Sequence, residues 1–251
     1  MDITELKRNQ INVRHPWEEV RARIIKALIQ KHHSCFHILD AGSGDAFVLN
    51  YLCSFNLASH YTAVDIAYTN EIIKIINQRI SCNINFLQAI PEKLSPKADT
   101  ILLLDVLEHC KDDSALLEEL NSNDLIQSPL FFITVPAYPK LFSQHDKLLL
   151  HYRRYTTKTL KELCKKNNLK VISSGYFFTS LLVIRCIQLF LEKLGLRKPE
   201  KSIDNWAGGY AISKIISSIL WIDFLTGRFF SHIGIQIPGL SAYCICRPLP
   251  S

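Results

Sequence analysis

Apolar residues along this 251-residue chain follow two alternating rhythms. Short apolar runs of strand length, bounded by turn-forming residues, occur at His37–Ala41, Tyr61–Ile66, Asn83–Leu87, Asp99–Asp105, Leu130–Pro136, Leu169–Gly175 and Ala242–Arg247. Between them, apolar positions recur at intervals of three and four. Val20, Ile24, Ala27 and Leu28 follow Pro16 in an opening amphipathic helix, and further helical patterns span 45–56, 69–80 and 112–121. Only a short Pro-containing link separates the third and fourth runs, at 89–98. Strands alternating with helices predict a mostly parallel sheet covered on both faces.

The alternation breaks after Gly175. Residues 177–230 are mostly helical in pattern, with a polar, turn-rich gap at Arg197–Asn205. Leu181–Leu194 is apolar except for Arg185, Gln188, Glu192 and Lys193, the first three forming a narrow polar stripe. Tyr210–Leu225 sets Ser213, Lys214, Ser217, Ser218 and Asp223 against Ile212, Ile215, Ile216, Ile219, Leu220, Trp221 and Phe224. Two such helices cannot bury both apolar faces alone. The expectation is therefore one domain, 1–251, with 177–238 as a helical insertion before the last strand, which follows Pro238-Gly239. The apolar faces are suited to the core, to a homodimer partner, or to peripheral contact with a membrane.

Composition adds bounds. The chain is 48% hydrophobic and 21% charged, ordinary for a globular core, and its net charge of +6 is too mild to indicate nucleic acid. The positive surplus is concentrated between Lys140 and Lys170, where nine Lys/Arg stand against Asp146 and Glu162. The eight cysteines include no CxxC pair. Cys244 and Cys246 share one face of a strand. The set reads as small buried thiols of a reducing compartment, not as a zinc site or disulfide framework. The opening MDITELKRNQ lacks a signal-peptide pattern, and charge interrupts the apolar stretches before 18 residues. A cytoplasmic protein without a transmembrane helix is expected, with membrane association left open by the two late helices.

The chemistry centres on His37-Ile-Leu-Asp40-Ala-Gly42-Ser-Gly44-Asp-Ala46, a strand feeding a glycine turn into a helix. Glycine lets the backbone turn tightly and approach a ligand, and the helix start offers free N–H groups. Phe47 occupies the third-glycine position of a dinucleotide fingerprint, which disfavours a nicotinamide-dependent reductase. Tyr61–Ile66 ends in Asp65, an acid able to accept both hydroxyls of a ribose. The fourth run ends Asp105-Val-Leu-Glu108-His109 at the carboxyl edge, where open α/β sheets bind ligands.

ILDAGSG, VDI and DTILLLDVLEH, taken in order, resemble the successive motifs of class I S-adenosylmethionine-dependent methyltransferases, specifically the type 11 family. The resemblance continues through ITVPAYPKLFSQHDKLLLHYRRYT (133–156) to GLSAYCICRP (239–248). The HxRRYT-like stretch is similar to a subgroup often found beside polysaccharide-assembly and lipid-linked sugar enzymes. It implies a Rossmann-like seven-stranded sheet and S-adenosylmethionine as cofactor. Gly42 and Gly44 would border its methionine part and Asp65 hold its ribose, with Asp40, Ile66, Gln88 and Asp105 completing the cofactor set. Ala46 stands where the family has a third glycine, and Gln88-Ala89 where it often has an acid near the adenine.

On the substrate side two readings of D-x-x-E-H stand together. In one, Asp105 helps hold the cofactor, Glu108 caps the helix and His109 packs. In the other, the motif is similar to the E-x-x-E-H of ubiquinone-pathway O-methyltransferases and small-RNA 2′-O-methyltransferases. Asp105, Glu108, His109 and the later His151 would then hold a divalent metal such as Mg²⁺, Mn²⁺ or Zn²⁺, although Asp105 is one methylene shorter than the Glu of that motif. His109, His145 and His151 are the candidate bases, since imidazole titrates near neutrality. Tyr138, Arg153, Arg154 and Tyr155 are the candidate substrate contacts, the two guanidinium forks suiting phosphate or carboxylate. Thr156 or Thr157 is the expected N-cap of a helix over Lys158–Asn167. The expected acceptor is an oxygen or nitrogen nucleophile on a small molecule or a lipid- or glycan-linked one. A catalytically inactive methyltransferase-like partner protein is the alternative.

Overall fold

A computed structural model describes residues 14–32, 34–122, 126–196, 206 and 208–249. The expected gap at Arg197–Asn205 lies outside these residues. The elements are α1 (Pro16–His32), β1 (His37–Ala41), α2 (Phe47–Ser54), β2 (His60–Val64), α3 (Asn70–Asn77), β3 (Asn85–Leu87), β4 (Ala98–Leu104), α4 (Asp113–Ser122), β5 (Ile126–Pro136), α5 (Gln144–Leu148), α6 (Thr157–Lys166), β6 (Leu169–Phe177), α7 (Thr179–Lys193), α8 (Tyr210–His232) and β7 (Ser241–Pro248). The helix ends follow local chemistry. Pro16 opens α1 with Glu18 and Glu19 in the first turn and Lys31 and His32 in the last, matching the helix dipole. The Thr69 hydroxyl accepts from Ile72 N–H to cap α3, and of the two expected caps for α6 it is Thr156 that accepts, from Thr159 N–H.

The seven strands form one sheet in the order β3-β2-β1-β4-β5-β7-β6. All pairs are parallel except those of β7, which runs antiparallel to β5 and β6 on either side. Strand order reverses between β1 and β4, where Asp40 pairs with Leu102, and the carboxyl ends at such a switch point are where open α/β sheets bind ligands. Ile24, Leu49, Ile72, Leu220 and Phe224 bury one face of the sheet beneath α1, α2, α3 and α8. Leu117, Leu160 and Cys164 bury the other beneath α4 and α6. This is the expected seven-stranded, mostly parallel Rossmann-like architecture, with two helices inserted before the last strand.

Three expectations need correction or addition. Cys53 at the end of α2 and Cys82 after α3 form a disulfide, their Cα atoms 6.2 Å apart, against the expectation of free thiols throughout. Helix packing brought together two residues 29 positions apart, a relationship that spacing alone does not carry. Cys164, Cys244 and Cys246 do form a buried thiol cluster, with sulfurs 3.8 and 3.9 Å apart. Finally, α8 extends to His232 and is long and apolar enough to cross a membrane, at a mean hydropathy of 1.2. Lys214, Asp223 and Arg228 interrupt its apolar run without ending the helix.

Candidate active site

The glycine turn after β1 and the acid after β2 form one unit. Gly42 and Ser43 both donate their N–H groups to the Val64 carbonyl, at 2.8 and 3.1 Å. Gly42 has φ +82°, and a Cβ there would lie 2.5 Å from Val106 Cγ2, so the close approach of the turn to β4 requires glycine. Ala46, in place of the family's third glycine, also takes a left-handed conformation, with φ 57°. The Asp65 carboxylate accepts from Gly44 N–H and from Ala67 N–H, each at 2.9 Å. Each oxygen keeps a further lone pair for a ribose hydroxyl. Ile66 stands 87% exposed beside it, an apolar surface of the kind a base stacks on, and its carbonyl accepts from Gln88 Nε2 at 3.3 Å.

Asp40 is buried at the end of β1 with one carboxyl oxygen unpartnered. Burial pushes its pKa up to about 7, and the charges of Asp65 and Asp45 add to the rise. A buried carboxyl beside other acids is a site that a cationic ligand would stabilise in its charged form.

The segment leading into and through α1 pairs with two of the acids at the strand ends. Arg14 pairs with Asp45 and lies over the Phe47 ring at 3.9 Å. Arg21 pairs with Asp105 at 2.6 Å. Neither arginine was singled out in the sequence, because each acts on a partner far along the chain. Asp105 itself sits at φ 55°, and its second oxygen accepts from Thr134 Oγ1 at 3.1 Å. Both oxygens are thus engaged, and Asp105 does not join the metal set expected of it.

Beyond Asp105 the 3-10 turn Leu107–His109 brings the remaining expected ligands together. One ligand atom from each of Glu108, His109 and His151 lies within 4.8 Å of the others. Glu108 is 1% exposed with neither carboxylate oxygen hydrogen-bonded, and burial, reinforced by Asp105, raises its pKa well above the usual range. The His109 and His151 rings meet edge to face, centroids 4.6 Å apart.

The loop after β5 is held by a buried charge cluster. Asp146 is fully buried, accepts from Arg154 Nε at 2.6 Å and pairs with His151 Nδ1 at 3.1 Å. Burial alone would raise the Asp146 carboxyl, but the His151 and Arg154 hydrogen bonds hold it well below the usual carboxylate range. His151 is thereby oriented with Nε2 as its remaining functional atom. His145 lies on α5, half-buried, on the preceding turn of the same loop.

The expected substrate contacts divide. Arg154 also donates to the Ala137 carbonyl, and Arg153 to the Cys110 and Lys111 carbonyls while pairing with Asp113 at 3.1 Å. Tyr155 is buried, its hydroxyl donating to Asp113 at 2.7 Å. These three residues brace the loop, and the anion clamp expected of Arg153 and Arg154 is engaged by the protein itself. Their charge was legible in the sequence; the internal acids and carbonyls that take it up were not. Tyr138 stacks on Tyr176 at 5.2 Å beyond the end of β5 and remains partly exposed.

A turn of glycines hydrogen-bonded to an acid, at the switch point of a mostly parallel sheet, is a setting suited to an adenosyl cofactor. The methyltransferase-domain family model matches residues 11–174. The chain belongs to that family and is a class I S-adenosylmethionine-dependent methyltransferase. Solved structures share its fold at low identity. One is a chain from the Haloferax volcanii complex between the Trm112 methyltransferase activator and a methyltransferase (TM-score 0.56, 13% identity, covering 92% of this chain and 90% of that one). Another is the YcgJ protein of Bacillus subtilis (TM-score 0.53, 14% identity, 92% and 98%). A third is the N-methyltransferase NodS of Bradyrhizobium japonicum with S-adenosylhomocysteine (TM-score 0.52, 13% identity, 68% and 88%). No curated protein matches the chain.

Proposed function

We propose that this enzyme transfers the methyl group of S-adenosylmethionine to an oxygen or nitrogen nucleophile on a small-molecule or lipid- or glycan-linked acceptor, with His151 as the base. The observation that carries this reading is the Asp146–His151 pair, which fixes one ring nitrogen of a histidine that lies beside Glu108 and His109, in the segment that follows β4. Displacement at a sulfonium methyl needs alignment above all, and a base removes the proton that the nucleophile releases. Asp40, Gly42, Gly44, Asp65, Ile66 and Gln88 line the cofactor side, and Tyr138 the acceptor side.

Calorimetry with S-adenosylhomocysteine, followed by transfer of labelled methyl to small-molecule and lipid extracts, tests the reading. Tight binding with labelled product in one fraction supports it. Binding with no label transferred to either overturns it.

A second reading is favoured by Glu108, a buried carboxylate with both oxygens unpartnered beside two imidazoles. This donor set suits a divalent metal held by Glu108, His109 and His151, without Asp105. Such an ion would lower the pKa of an acceptor hydroxyl, and His151 would then act as a ligand instead of a base. Under this reading a chelator abolishes turnover and leaves S-adenosylhomocysteine affinity intact. Full turnover in excess EDTA eliminates it.

A further inference from the structure

The α7–α8 hairpin is inside-out. On α7 the polar stripe faces the protein: Arg185 is buried, donating to Ser143 Oγ at 2.5 Å and to Gln188 at 3.2 Å, with Glu192 at 4.0 Å. The apolar residues face outward, Ile187 54% and Phe190 61% exposed. On α8, Asp223 turns inward to the Ser180 N–H and hydroxyl, while Ile215, Ile219, Ile222 and Phe229 stand in solvent. Of the twenty-five exposed large hydrophobic residues among those described, sixteen lie on 183–235. Soluble surfaces scatter such residues singly; a contiguous face of them marks a contact with an apolar medium or partner.

We infer that this face docks in the interfacial layer of an anionic lipid bilayer. Breadth argues for lipid over a second copy of the chain. The positions flanking the Ile212–Ile215–Ile219–Ile222 stripe are Ala211, Ile216, Ser218, Asp223 and Leu225; the one charge among them, Asp223, is turned inward to Ser180, whereas a helix-to-helix seam carries a ladder of outward charges. Between 211 and 230 the exposed charged side chain is Lys214 alone. Charge argues for anionic lipid. The exposed charges on the two helices, Lys193 and Lys214, are both positive, and so are Lys140 and Lys147 on the loop that Ser143 joins to α7.

The helix lies in the interface and does not cross it. Leu220 and Phe224 are buried in the protein core, and Trp221 stacks under the Arg23 guanidinium of α1 at 3.7 Å. Crossing a bilayer would strip these contacts away. The hairpin springs from the carboxyl end of β6, on the sheet edge that carries the cofactor crevice. With the methyl-transfer reading above, on which this last step rests, docking there points to an acceptor that resides in lipid.

Vesicle flotation of the full chain tests the docking. The protein is expected to float with phosphatidylcholine–phosphatidylglycerol vesicles, to bind pure phosphatidylcholine at least tenfold more weakly, and to be released by salt. Ile187→Glu/Ile222→Glu, at two exposed positions, is expected to abolish flotation while S-adenosylhomocysteine affinity, reporting the intact fold, is unchanged. Lys140→Glu/Lys147→Glu is expected to weaken only the binding to anionic vesicles. A wild-type protein that stays soluble with both vesicle types overturns the proposal. So does a dimer in sedimentation that Ile187→Glu/Ile222→Glu dissociates, which would assign the face to a second copy. Flotation reads partition and not turnover, so its failure leaves methyl transfer standing.

Discussion

The Asp65 carboxylate accepts the Gly44 amide at 2.9 Å, so the acid closing β2 and the glycine turn closing β1 are positioned by one another. In the cofactor site proposed above these two form one cross-strand unit, and damage to either half should be felt by both. Asp65→Ala is expected to weaken S-adenosylmethionine binding by about 1.5–3 kcal/mol through loss of charge-assisted hydrogen bonds. Gly42→Ala is expected to do at least as much harm, since φ +82° disfavours a side chain and Val106 must move. Calorimetric titration of both variants checks this; wild-type affinity in both would place the cofactor elsewhere.

Asp40 gives a pH signature. Its folded pKa, about 7, lies above the ordinary carboxyl value, so the proton is bound more tightly in the folded state. The stability it contributes is present at low pH and lost as pH rises through about 7. Thermal melts of the ligand-free protein should show Asp40→Asn gaining on wild type as pH rises across that window. Cofactor affinity should change in the opposite sense, because a cationic ligand favours the ionised carboxylate. Wild-type affinity is expected to rise with pH towards about 7, with a flatter profile in Asp40→Asn. Identical profiles for the two proteins would remove Asp40 from the site.

Asp146 and His151 touch, yet their losses should differ in kind. Asp146→Ala leaves Arg154 buried without its acid, an imbalance expected to cost about 3–5 kcal/mol of stability. His151→Ala removes the presented imidazole from a less buried position. Turnover is expected to fall about 10²-fold or more with S-adenosylhomocysteine affinity unchanged. Chemical denaturation and single-turnover kinetics on the pair distinguish brace from base. Undiminished turnover in His151→Ala would end the catalytic assignment.

The Cys53–Cys82 disulfide closes a loop between residues 29 apart. In a chain-entropy treatment, a loop of that length stabilises by about 3–4 kcal/mol. Cys53→Ser should lower the denaturation midpoint by that equivalent in oxidising buffer and have little effect under strong reductant. Equal midpoints in oxidising buffer would show that the bond does not form in solution.

The strands, their alternation with helices and the glycine-and-acid motifs were legible in the amino-acid order alone. Those features are local: a period of two or of 3.6, a glycine turn and an acid at a strand end are each written in a few consecutive residues. HILDAGSG could be read as strand, turn and helix without knowing its neighbours, and Asp65 as the acid that closes its own strand. Tertiary structure decided what those residues touch. It diverted Asp105 to Arg21, 84 positions away, enclosed Arg154 with Asp146, and gathered Glu108, His109 and His151 without Asp105. It also turned the polar stripe of α7 inward. Amphipathicity shows that a helix has two faces, and only the packing of Arg185 on Ser143 and of Phe224 in the core determines which face meets the protein. Pairings across tens of residues depend on the packed arrangement of whole elements, and no local spacing along the chain encodes them.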